Sequence, residues 1–176
     1  MKLNRRKKVL TGILVAAATM LLIIVPNVFA SASSGSAGTR IEVKGIWELT
    51  SFNSTTFYTQ NGIQYGAGVG IGPFLGGIHG ANSQGEYLTA YNLATQVITF
   101  TGQIHCICTI DGRTGNLWIS MINGIDRNAS NPNGKTTAEF VIVGASGGLK
   151  GTTGYGPMVT TTSSNDMNYT MFIHLR

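Results

Sequence analysis

The chain has 176 residues, 43% of them hydrophobic and only 11% charged, with 24 glycines and two cysteines. Its formal net charge is +5, yet five of the twelve Lys and Arg precede residue 9. From Arg40 to Arg176 seven basic residues face seven acidic ones, so the body of the chain is neutral and offers no support for nucleic-acid or acidic-substrate binding.

The first thirty residues run from basic to apolar to small. "MKLNRRKK" carries the five positive charges, "VLTGILVAAATMLLIIVP" (residues 9–26) carries none, and "NVFASASSGSAG" offers small residues at −3 and −1 in both "VFA" and "ASA". This order predicts a secretory signal peptide over residues 1–30. Residues 9–26 also match the length of the shortest spanning helices, so an uncleaved N-terminal anchor is the alternative, and the one membrane contact the sequence predicts. No cysteine follows at the junction, which excludes a lipoprotein-type anchor. Residues 31–39, "SASSGSAGT", read as a flexible linker, and residues 40–176 as one exported domain, secreted or extracytoplasmic.

The pattern beyond the linker is nearly all β. "RIEVKGIWEL" (40–49) alternates Ile41, Val43, Trp47 and Leu49 against Glu42, Lys44 and Glu48, the period of a half-buried strand. Further strands are predicted at 85–92, 95–110, 115–124, 135–144 and 165–175, with turn clusters at 111–115, 128–134 and 144–156. Two more are expected in the glycine-rich region 55–80. There "GAGVGIGPFLGG" (66–77) has Gly-x-Gly spacing but no βαβ unit around it, and reads as a flexible rim loop or a bulged edge strand. About eight antiparallel strands imply a barrel or a sandwich.

"QIHCICTI" (103–110) gathers His105 with both cysteines. Alternation separates them: Ile98, Phe100, Gly102, Ile104, Cys106, Cys108 and Ile110 form an apolar face, while Thr99, Thr101, Gln103 and His105 form a polar one. The thiols are thus predicted to point inward and His105 outward, and no metal site is expected, since zinc takes three or four converging ligands. No disulfide is expected either. Cβ atoms two apart on an extended strand lie roughly 6–7 Å apart, and a disulfide needs about 3.8 Å. Buried thiols acting as small apolar side chains are the simplest reading.

Resemblance chooses between barrel and sandwich. "FTGQ" (100–103), "GRTGNLWI" (112–119), "AEFVIVGASGGLKGTTGYG" (138–156) and "MNYTMFIHL" (167–175), with "GEYLTAYN" (85–92) and the opening "GTRIEVKGIWE" (38–48), resemble domain-of-unknown-function family 3224. That resemblance implies an allene oxide cyclase-like fold, a single closed antiparallel β-barrel related to the dirigent barrel. It also implies either a small apolar ligand in the lumen or an isomerase or cyclase acting there on an oxidised lipid. The other possibility is a filled barrel serving as a structural or interaction module of the cell envelope. Lumen-facing candidates are Trp47, Phe100, Ile104, Cys106, Cys108, Leu117, Ile119 and Met121, each also suited to ordinary core. Glu86 shares a face with Leu88 and Ala90 and reads either as an inward carboxylate or as a rim residue in water. No catalytic constellation can be assembled and no cofactor is expected.

Overall fold

The computed structural model describes residues 38–127, 134–160 and 166–176. The signal or anchor segment and most of the linker therefore lie outside the described residues. Nine strands follow in chain order: β1 (Thr39–Glu48), β2 (Ser51–Gln60), β3 (Ile63–Gly76), β4 (Gly80–Asn92), β5 (Val97–Ile110), β6 (Arg113–Asp126), β7 (Thr136–Ala145), β8 (Thr153–Thr160) and β9 (Asp166–Leu175). Every pairing is antiparallel, in the order β1-β9-β8-β7-β6-β5-β4-β3-β2. A further pairing of β1 with β3 closes eight strands into a barrel. β2 stays outside the ring, continuing the line of β1 along the edge of β3.

Local sequence explains the hairpins. Asn61 and Gly62 connect β2 to β3 with φ of 51° and 76°, and Asp111 and Gly112 connect β5 to β6 with φ of 49° and 74°. Asn-Gly and Asp-Gly are the pairs that tolerate two left-handed residues in succession, as a two-residue hairpin demands. Between β4 and β5 the Asn92 side chain accepts from the Ala94 and Thr95 N–H groups at 3.0 and 3.1 Å. The turn expected over 111–115 is therefore confined to its first two residues, and Arg113–Gly115 already pair in β6.

The glycine-rich stretch 66–77 is no flexible loop. It forms most of β3, where Gly66, Gly68, Gly70 and Gly72 are buried while Val69 and Ile71 are exposed. The bulged-strand alternative is nearer the mark, because the register against β4 shifts between Gly72 and Phe74.

The interior is packed along most of its length. Trp47, Phe74, Phe140, Met121, Met158 and Met171 are fully buried in one continuous core. One end is plugged by a 3₁₀ turn, Gly147–Leu149, whose Leu149 is buried and whose chain returns through Thr152 N–H to Leu149 C=O at 2.9 Å. A Cβ on Gly115 would come within 3.0 Å of the Leu149 nitrogen, so the plug fits only over a bare backbone.

Tyr169 on β9 ties the closure together. Its hydroxyl accepts from the Ile78 N–H at 3.0 Å and lies 3.3 Å from the carbonyls of Leu75 and Ile78, either of which its hydrogen can reach. Burial pushes its pKa up from 10.0 to about 12, against an opposing effect of the Ile78 hydrogen bond. A pKa raised by folding means the contribution is whole below the unfolded value and is lost as pH rises through the folded one. The barrel should therefore lose stability between pH 10.0 and about 12, and urea unfolding across that range reads it. At neutral pH, Tyr169→Phe should cost about 1–3 kcal/mol, because the Ile78 amide is left buried without its acceptor.

Candidate functional site

The barrel is closed at the plug and open at the other end. There the ends of β4, β5, β6, β7, β8 and β9 surround a cleft of about 230 Å³. Its apolar wall is Leu49, Phe52, Ile98, Phe100 and Met167, and its polar groups are Tyr87, Thr89, Asp126, Thr136 and Thr160. A cavity of roughly 150 Å³ already admits a benzene-sized ring, so this one has room for a small ligand or one end of a longer one.

The glycine face of β3 makes that room. A Cβ on Gly68 would meet the Phe52 ring at 2.8 Å, and one on Gly70 would meet the Leu49 side chain at 2.5 Å and the Tyr87 hydroxyl at 2.9 Å. Any larger residue would drive these three side chains out of their places against β3. Alternate glycines on an inner face thus let side chains from β2, from β4 and from the β1–β2 join fold over the barrel end.

Tyr87 is the centre of the cleft's aromatic wall. Its ring lies 5.9 Å from Phe52, 6.3 Å from Trp47 and 6.4 Å from Phe100, centroid to centroid, with the Phe100 contact edge-on. Its hydroxyl is buried and, among the described residues, the one buried side-chain polar atom without a hydrogen-bond partner. Burial raises its pKa well beyond the ordinary phenol range, so the group stays a neutral donor at every physiological pH. Asp126 at the rim has a partner of its own. Among the described residues, no Lys, Arg or His lines the cleft.

The residues expected from the sequence divide sharply against this geometry. Phe100 lines the cleft. Trp47, Ile104, Cys106, Cys108, Leu117, Ile119 and Met121 do face inward, but they are at most 1% exposed and belong to the packed core. Glu86 faces outward and is exposed, with its carboxylate 3.3 Å from the Gln84 amide. The inward reading of Glu86 is thus corrected and the one in water holds: Ser83, Gly85 and Tyr87 are the buried set, and Leu88, on the same face as Glu86, is 62% exposed. The polar pair Gln84 and Glu86, two residues apart, was the signal that marks the outer face, and Tyr87 follows from it by alternation.

The cysteines bring a second correction. Both are buried as expected, but they are joined in a disulfide. Their Cα atoms are 5.5 Å apart, shorter than the roughly 6.6 Å of two steps along an extended strand, and within the range disulfides span. β5 is contracted at this point, where the fully extended geometry assumed from the sequence does not hold. His105 is on the outer surface, 3.1 Å from the Asn116 side-chain oxygen and stacked on Trp118 at 4.9 Å. Among the described residues no three His, Cys, Asp or Glu gather as a metal site.

Residues 43–172 match the model of a family described as protein of unknown function, DUF3224. The chain belongs to this family. A DUF3224 protein of unknown function from Shewanella oneidensis MR-1 has a similar solved structure, with a TM-score of 0.54 at 18% identity. The match covers 79% of this chain and 98% of that one. At that identity the likeness shows a shared fold alone. No curated protein matches the chain.

The disulfide is directly checkable. Intact mass under non-reducing conditions should be two hydrogens below that of the dithiol, with no alkylation at Cys106 or Cys108 until the protein is reduced and unfolded.

Proposed function

We propose that this DUF3224 barrel binds a small, neutral, mainly apolar molecule at its open end, with the Tyr87 hydroxyl donating to a carbonyl or ether oxygen of the ligand. The observation that carries this reading is the orphaned, buried hydroxyl of Tyr87, a residue that lines a mainly apolar cleft. Buried polar groups are normally satisfied, and one left over at a cavity is a place for a ligand's acceptor. The cleft's chemistry narrows the class. Asp126 at the rim disfavours a carboxylate, and the lining includes no cation among the described residues to hold one. Leu49, Phe52, Ile98, Phe100 and Met167 favour an aliphatic or aromatic body.

Binding rather than turnover is the favoured activity. The allene oxide cyclase-like reading needs groups placed to steer a reaction, and the cleft offers one phenol held neutral and one rim carboxylate. The filled interior favours a carrier that holds its ligand at the mouth over one that encloses it. On the signal-peptide reading of residues 1–30, the protein works outside the cytoplasm, free or tethered by residues 9–26.

Titration with a medium-chain methyl ketone, followed by amide chemical shifts of the β4 and β5 residues at the mouth, tests the proposal. Saturable binding is expected, with the carboxylate of equal chain length binding more weakly. Tyr87→Phe should weaken the ketone roughly three- to tenfold, the worth of one hydrogen bond, and leave an alcohol-free hydrocarbon probe unchanged. A ketone that produces no saturable shifts at the mouth sinks the reading.

A further inference from the structure

The free edge of β2 is the feature the cleft does not explain. β2 pairs with β3 along one edge, no described strand pairs with the other, and all ten of its residues are exposed. An open edge presents unpaired N–H and C=O groups, and proteins ordinarily blunt one with lysine, proline or an inward charge. β2, "SFNSTTFYTQ", has no lysine, proline or charge, and its register against β3 shifts at a bulge between Thr56 and Tyr58. The whole stretch 49–85, which includes β2 and β3, contains no Asp, Glu, Lys or Arg.

The same edge gathers exposed apolar surface. Of the eleven large hydrophobic side chains exposed among the described residues, Phe57 and Tyr58 lie on β2, and Val69 and Ile71 on the stretch of β3 paired with it. That concentration sets this edge apart from the rest of the barrel wall and marks an interaction surface.

We propose that β2 pairs antiparallel with β2 of a second copy, joining two barrels through one continuous sheet about a two-fold axis near Thr55. A second copy is the occupant the observations favour. The edge has no charge for a charged segment to match, whereas an uncharged strand matches itself. Antiparallel pairing of one strand with its own copy is the isologous contact that a two-fold axis creates, and it closes after two chains. Thr55 is at the middle of β2, pairs with Ala67 on the outer face of β3, and is exposed, so two small side chains would meet on the axis. Val69 and Ile71 lie one strand behind it, on the face that such a sheet makes continuous. Phe52 reaches from the same strand into the cleft, so pairing would also steady one wall of it.

Sedimentation equilibrium of the full chain, with Thr55 variants whose fold is checked by circular dichroism, tests the pairing. The wild-type chain should have twice the monomer mass. Thr55→Lys chains alone and Thr55→Glu chains alone should be monomers, because like charges would meet directly across the axis. An equimolar mixture of the two should recover the dimer, a result that misfolded chains could not produce. A wild-type chain that stays monomeric overturns the proposal, as does association that survives Thr55→Lys, growth beyond two copies, or a mixture that fails to associate.

Discussion

The barrel depends on β1 being shared by two neighbours. Ten residue pairs join it to β9, but only Gly45, Ile46 and Trp47 join it to β3. So short a seam needs side chains to hold it. The Trp47 indole N–H donates to the Gly72 carbonyl at 3.1 Å, and Ser83 donates to that same carbonyl from β4. Tyr169 reaches across from β9 to Leu75 and Ile78. Both aromatic side chains are buried, so these hydrogen bonds close the sheet where water cannot compete for their partners.

The cleft and the free edge both follow from where that seam stops. After Trp47 the chain leaves the ring at Leu49 and Thr50 and runs on along β3 as β2. Beyond this point β3 has β2 rather than β1 as its neighbour, and the ring is no longer closed by β1. Leu49 and Phe52 then lie over the inner glycines of β3, beside Tyr87. One departure from the closed ring therefore creates an apolar mouth on the inside and an unpaired strand edge on the outside.

Much of the fold was legible in local pattern. The alternation of Ile104, Cys106 and Cys108 against His105 gave the faces of β5 correctly, because a strand with one wet side must segregate its side chains. The regular strands and their turn residues were likewise readable. Two strands were expected in the region 55–80 and β2 and β3 run there, but their bounds and faces were not legible, because glycine carries no apolar signal. Gly66, Gly68, Gly70 and Gly72 alternate as strictly as any core residues, but they mark an inner face by what they make room for. The cleft suffered from the same blindness. Leu49, Ile98 and Met167 come from different strands, and nothing along the chain says they meet at an unfilled end. Glu86 does share a face with Leu88, and that face is the outer one, as the polar pair Gln84 and Glu86 indicates; the pairing with β3 and β5 sets Tyr87 on the opposite side.

The sequence by itself determined an all-β domain, its hairpin turns, a neutral body behind a basic and apolar N-terminal segment, and membership of the barrel-forming family. These are properties of short windows, set by side-chain period and by the residues that tolerate left-handed backbone. Tertiary structure alone decided which end of the barrel stays open, that Tyr87 is left there without a partner, that β2 lies outside the ring, and that two cysteines on one strand come close enough to bond. Each of those depends on the distance between residues remote in sequence, or on how a strand coils when its neighbours close around it. No local pattern carries that information.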